Sequence, residues 1–282
     1  FCPAGCPASH QATKTPCDVD LVQHIADALA SRAAGSVCDT AELRRYQSLV
    51  GALLYAAVNT RPDVAYSVGM LCRAMCCPTP ELYEDALRVL YYLHRHRDIG
   101  LTYEADQSPL AGHSDSDWAV KHSTSGWLFT YSRAVVTWGS KKQQSIALSS
   151  CEAEVMALSE ACKDGVYLDT FLDELQLKVE GDAPPVVYGD NRGANDLAYN
   201  SEHHQRTKHI DRRYFWVREL VENMKLSIAY VNTVDNLADF LTKPLPSKTF
   251  FHMRDRIMNV PRDARLGASL KCSRRSRGGV AV

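Results

Sequence analysis

The sequence predicts an α/β fold, a mixed sheet with flanking helices, preceded by a small helical segment. Three observations carry this prediction. Helical periodicity fills residues 42–97, the period shortens to alternating runs past Gly100, and from about Ser150 helical and strand patterns alternate. Strands first and βα units afterwards imply a mixed sheet whose ligands collect at the C-terminal strand edges.

Residues 1–40 contain Pro3, Pro7 and Pro16 and a single helical pattern at Leu21–Leu29, and read as a mostly flexible lead-in. Residues 41–98 form the helical segment. Its first face carries Leu43, Tyr46, Leu49, Val50, Leu53 and Leu54, its second Val64, Val68, Leu71 and Cys72, and its third, after Pro80, Leu82, Ala86, Val89, Leu90 and Leu93. Residues 99–246 hold the sheet. Strands are expected over Leu101–Ala105, Leu110–Asp115, Gly126–Tyr131 and Val135–Trp138, then a long helix from Ser150 with Ser149 or Ser150 as its cap. A strand at Pro185–Tyr188, helices at Asn191–Tyr199 and Ile210–Asn223, a strand at Ser227–Val231 and a helix at Val234–Leu241 follow. Beyond Pro244–Pro246, residues 247–260 read as an amphipathic C-terminal helix and residues 261–282 as a basic disordered tail.

Composition narrows the class. With 282 residues, 45% hydrophobic and 23% charged, the chain has enough apolar side chains for a real core, which excludes a disordered, collagen-like or disulfide-scaffold protein. The ten cysteines show no repeated CxxC pair and read as reduced thiols of an intracellular, cytoplasmic protein. Cys2 and Cys6 lack the second Cys/His pair that a zinc site needs. The longest nearly apolar run, Leu49–Val58, is about half of what a bilayer-spanning helix requires, so no membrane association is expected. A start at Phe1 rather than Met reads as a cut from a longer product or an incomplete reading frame. A net charge of −1 means that any nucleic-acid contact comes from local basic patches.

Four carboxylates fall where such a sheet would gather them: Asp115 near a strand end, Glu154 in the first turns of the long helix, Asp190 after a buried strand, and Asp239 in the last helix. Taken singly, each reads as a turn or cap residue. As a set they suit metal-dependent phosphotransfer, which needs hard oxygen ligands converging from different elements. Acids crowded together without a cation repel one another.

The runs Ser114–Asp115–Ser116–Asp117–Trp118–Ala119, Ser123–Thr124–Ser125–Gly126, Trp138–Gly139–Ser140–Lys141–Lys142–Gln143, Glu152–Ala153–Glu154, Gly189–Asp190–Asn191, Arg206–Thr207–Lys208–His209–Ile210–Asp211 and Ala238–Asp239–Phe240–Leu241–Thr242–Lys243–Pro244–Leu245 resemble, in order, the ribonuclease H domain of copia-type retrotransposon polyproteins. Upstream, Tyr46–Tyr55 and Asn59–Thr60–Arg61–Pro62–Asp63 resemble the connection segment that follows the reverse transcriptase palm in the same polyproteins. The resemblance implies an RNase H-like five-stranded mixed sheet. It also implies an endonuclease that cuts the RNA strand of an RNA/DNA hybrid with two Mg²⁺ ions, or Mn²⁺ in their place. The expected setting is a retroelement particle, with a palm upstream in the same polyprotein as partner.

The family's ligand order Asp, Glu, Asp, Asp carries over to Asp115, Glu154, Asp190 and Asp239 as catalytic and metal-binding residues. Glu152 and Asp117 stay open as alternatives two residues away. Integrases of the same fold run Asp, Asp, Glu, and proofreading exonucleases place the first Asp and the Glu two apart on one strand; neither order fits. The Tyr-x-Asp-Asp motif of a polymerase palm is absent from this sequence. A hybrid is read by groove shape and 2′-hydroxyls, so polar and basic groups should flank the acids. Lys141, Lys142 and Gln143 are expected on one flank and Arg206, Lys208 and His209 on another, with Asn191 as a further substrate-binding residue. A rival reading is a catalytically inert retroelement remnant that serves as a nucleic-acid-binding or structural module.

Overall fold

The computed structural model describes residues 15–35, 37–105, 108–118, 122–178, 183–199 and 211–261. The chain divides into two compact units, Phe1–Tyr103 with Pro244–Val282, and Glu104–Lys243.

The first unit is helical: α1 (Asp20–Ala33), α2 (Thr40–Asn59), α3 (Ala65–Cys72), α4 (Pro80–Arg95) and the helix Ser247–Ile257. Local chemistry sets the starts. Asp39 caps α2 by accepting from the amides of Ala41 and Glu42, and Thr79 caps α4 with Pro80 as its first residue, where a missing N–H costs nothing. Most of each predicted face is buried, with Tyr46, Leu49, Val50 and Leu53 on α2 and Leu82, Ala86 and Val89 on α4, whereas Leu54, expected on the first face, is exposed and Leu43, Leu90 and Leu93 are half-buried. One expectation is corrected here. Part of the lead-in is packed, because α1 has its own apolar stripe of Leu21, Ile25 and Ala28 to bury. The expected C-terminal helix forms over Ser247–Ile257 and belongs to this unit, with Phe250 edge-on to Tyr92 at 5.8 Å between ring centres. Between α2 and α3, Arg61 forks onto Asp63 through Nε (2.8 Å) and Nη2 (2.7 Å), and the Tyr92 hydroxyl donates to the same carboxylate at 2.7 Å.

The second unit is a five-stranded sheet in the order β3-β2-β1-β4-β5, built from β1 (Ala111–Asp117), β2 (Thr124–Tyr131), β3 (Ala134–Lys142), β4 (Val186–Gly189) and β5 (Ser227–Tyr230). The first three strands are antiparallel, while β4 lies parallel to β1 and β5 parallel to β4. This is the RNase H-like mixed sheet that the motifs imply. Helices α5 (Ser150–Glu174), α6 (Arg192–Leu197) and α7 (Asp211–Glu222) accompany it. Phe129, Leu158, Cys162, Val187, Val217 and Leu226 share the buried core.

Three further expectations change. Leu101–Ala105 does not form a strand among the described residues; its alternation is real, but Thr102 and Glu104 make single backbone bonds to Met258 and Ser132 rather than a ladder. Strands β1, β2 and β3 outrun their apolar cores, since ladder pairing carries polar ends such as Asp117 with Thr124 and Thr124 with Lys142. The last predicted helix is two 3₁₀ turns, Thr233–Asp235 and Leu237–Leu241, broken at the extended Asn236. Asn236 caps the second turn by accepting from Ala238 and donates its amide to the Ser114 carbonyl at 3.0 Å, which ties the turn to β1. Cys17, Cys38, Cys72, Cys76, Cys77, Cys151 and Cys162 are free thiols. Among the described residues no helix is long and apolar enough to cross a membrane.

Candidate active site

The parallel pairing of β1 with β4 aligns His113 with Tyr188, so two residues further on Asp115 and Asp190 reach the same edge of the sheet. Helix α5 brings Glu154 to that edge. One oxygen from each of these three carboxylates lies within 4.8 Å of the others. The first turn of α5 explains why Glu152 is not the third member. Ser149 accepts from the Glu152 amide at 3.1 Å, and the Glu152 carboxylate turns back to accept from the Leu148 amide at 2.7 Å. This is a capping arrangement, and it fixes Glu152 at the helix start. On β1, Asp115 is buried and Asp117 is exposed at the strand end.

Asp239 comes from the turn Leu237–Leu241 and is also buried. Its Oδ1 lies 2.9 Å from Lys243 Nζ, and the neighbouring Thr242 donates its hydroxyl to Asp115 Oδ2. Gly126, the ladder partner of Asp115, makes room for this turn: a Cβ there would stand 2.6 Å from Thr242 Cγ2 and 3.0 Å from the Ala238 carbonyl. None of Gly126, Thr242 and Lys243 stood out as a functional residue, although all three lie in runs that carried the resemblance. Only the fold shows what each one touches.

The electrostatics are those of crowded, desolvated acids. Burial, with the Asp239 charge next, pushes Asp115 up to about 7. Burial, then the charges of Asp115 and Asp190, pushes Glu154 up to about 9. Burial also raises Asp239 against the opposing pull of Lys243. Burial alone would lower Lys243, but its close contact with Asp239 and the charges of Asp115, Asp239 and Asp190 outweigh that and hold it above the ordinary lysine value. A site of carboxylate oxygens that repel one another suits a divalent cation, and this donor set fits one.

The flanking residues divide. Lys141 and Lys142 are exposed at the end of β3, with Lys141 Nζ 3.8 Å from Glu160. Gln143 is corrected: it is buried, and its amide donates at 2.9 Å to both Ser125 Oγ and the Ala153 carbonyl, so it braces the sheet against α5 rather than facing a duplex. Asn191 caps α6 by accepting from the Ala194 amide at 3.1 Å. Beside it, the Arg192 guanidinium sits 4.5 Å from the centre of the Tyr230 ring, a further basic group at this edge. Arg206, Lys208 and His209 lie outside the described residues. Trp127 packs into the core and donates its indole N–H to Asp164 at 2.7 Å, whereas Trp118 is exposed.

No family model matches the chain. The chain is 41% identical over 209 residues to the "Retrovirus-related Pol polyprotein from transposon TNT 1-94" of Nicotiana tabacum, a match covering 73% of this chain and 16% of the relative. It is 45% identical over 128 residues to the "Secreted RxLR effector protein 161" of Plasmopara viticola, over 44% of this chain and 90% of that one. Among solved structures, RNase H1 of the halophilic archaeon Halobacterium salinarum NRC-1 is similar over 47% of this chain and 93% of its own, at 18% identity and a TM-score of 0.35. The chain spans 15–16% of the length of the plant transposon polyproteins that it matches. By sequence, and with the mixed sheet that its motifs imply, the chain belongs to the retrovirus-related Pol polyproteins of copia-type transposons.

Proposed function

We propose that the unit Glu104–Lys243 is a ribonuclease H, a phosphodiester hydrolase that cuts the RNA strand of RNA/DNA hybrids made during reverse transcription of a retrotransposon. The observation that carries this reading is the meeting of Asp115, Glu154 and Asp190 within 4.8 Å at one sheet edge, with Asp239 brought to the same place by a separate turn. The helical unit is read as the connection segment that follows a reverse transcriptase palm, with that palm as partner upstream in the polyprotein. The setting proposed is intracellular, in a retroelement particle.

Asp115, Glu154, Asp190 and Asp239 would hold Mg²⁺, two ions in the full reading, with Mn²⁺ able to take its place. When bound, such ions activate water and stabilise the leaving oxygen of a phosphodiester. The chain's own residues supply the rest. Thr242 orients the Asp115 carboxylate, and Lys243 pairs with Asp239. The Glu152 cap and the Gln143 brace set the start of α5, and so place Glu154. Lys141, Lys142 and Arg192 are exposed basic groups that would meet backbone phosphates.

The full chain should cleave the RNA of an end-labelled RNA/DNA hybrid in Mg²⁺ or Mn²⁺, spare double-stranded DNA, and stop in EDTA. Cleavage that persists in EDTA, or no cleavage by folded protein with either metal, overturns the reading. The second outcome would leave the chain as an inert nucleic-acid-binding module.

A further inference from the structure

Two consecutive residues of one turn each hold an acid of the site: Thr242 donates to Asp115, and Lys243 Nζ lies 2.9 Å from Asp239 Oδ1. The second contact is not an ordinary surface ion pair, because the Asp239 side chain is only 8% exposed while the Lys243 side chain is 39% exposed. The compact triad whose oxygens meet within 4.8 Å is Asp115, Glu154 and Asp190; Asp239 is the acid turned toward an internal cation. A lysine ammonium on a four-carbon stem is a compact charge that can move away, unlike a guanidinium fork locked by two bonds.

We propose that the Lys243 ammonium is the resident counter-ion of this acidic site, holding Asp239 in the metal-free protein and competing with a divalent cation for that carboxylate. The inference rests on the metal-dependent reading above and adds a regulatory residue to it. The ammonium offsets part of the repulsion among the four acids when no metal is bound. Metal entry at Asp239 then requires that contact to open, so Lys243 lowers metal affinity while it stabilises the metal-free fold.

The test is calorimetric titration of the full chain with Mn²⁺, together with thermal midpoints in EDTA, for wild type, Lys243→Gln and Lys243→Arg. Lys243→Gln should bind Mn²⁺ about 3–10-fold more tightly and melt lower in EDTA, since a unit positive charge has left the neighbourhood of the cation. Lys243→Arg, whose guanidinium can fork onto Asp239, should melt at or above wild type in EDTA and bind Mn²⁺ more weakly than wild type. In an Asp239→Asn background, Lys243→Gln should no longer lower the EDTA midpoint. Unchanged or weaker Mn²⁺ binding by folded Lys243→Gln overturns the proposal, and weaker hybrid binding at unchanged Mn²⁺ affinity would make Lys243 a phosphate contact instead. If the single variant does not fold, the Lys243→Gln/Asp239→Asn pair must fold with a midpoint close to wild type; its failure would make Lys243 a packing residue and end the proposal. Wild-type protein that takes up no Mn²⁺ removes both this inference and the nuclease reading, whereas normal wild-type uptake with an indifferent Lys243→Gln removes the inference alone.

Discussion

Gly126 and Thr242 are in contact so close that a single methyl group would separate them: a Cβ on Gly126 would stand 2.6 Å from Thr242 Cγ2. Because Gly126 is the ladder partner of Asp115, the turn that carries Asp239 can close over β1 only where β2 has no side chain. Gly126→Ala should therefore push this turn outward, separate Thr242 from Asp115, and lower stability by about 1–3 kcal/mol. Hybrid cleavage should fall much further than the fraction of folded protein. Parallel thermal melts and single-turnover rates check this, and full activity in a folded Gly126→Ala protein would contradict it.

The two acids at the start of α5 should separate cleanly. Glu154→Gln removes an oxygen of the triad and should cut the single-turnover rate by about 100-fold or more with the fold intact. Glu152→Gln loses a charged acceptor for the Leu148 amide and should cost about 1 kcal/mol of stability while most of the activity survives. The reverse pattern would exchange their roles.

Asp63 is a stability residue far from the acidic site in sequence. It receives two bonds from Arg61 and one from Tyr92, and its side chain is fully buried. Asp63→Asn leaves the Arg61 charge buried without its counter-charge, and should cost the helical unit about 3–5 kcal/mol. Denaturant melts of wild type and variant measure it; a loss below about 1 kcal/mol would show that the pair is dispensable.

His96 supplies a pH dependence. Burial, and then the nearby Arg254 charge, lower its pKa from 6.5 to about 4, with Asp63 opposing and Arg95 and Arg61 adding to the effect. The folded state therefore favours the neutral ring, and the unfolded state takes up the proton first. The stability that His96 contributes is fully present above pH 6.5 and is lost as pH falls from there to about 4. Thermal midpoints at pH 7 and pH 5 should differ by less in His96→Asn than in wild type. An identical difference would show that other groups set the acid limb.

Much of this architecture was legible in the sequence because its cues are local. Most of the apolar stripes of α2 and α4 and the start of α4 at Pro80 depend on neighbours within a few residues and appear where periodicity puts them, whereas β1 runs two residues beyond the expected end at Asp115. The choice of Glu154 over Glu152 was narrowed by motif, but a helix that begins at Ser149 with Glu152 folded back onto Leu148 decides it in space. The rest required contacts between distant positions. Leu101–Ala105 alternates like a strand yet forms none among the described residues, and Gln143 looks like an exposed polar residue at a strand end until Ser125 and Ala153 enclose it. Thr242 meets Asp115 across 127 positions of chain, and Asn236 meets Ser114 across 122. Periodicity reports which side of an element is apolar, whereas the partner of a polar group at such a separation is set only when the sheet order brings β1, β4 and the turn after β5 to one edge.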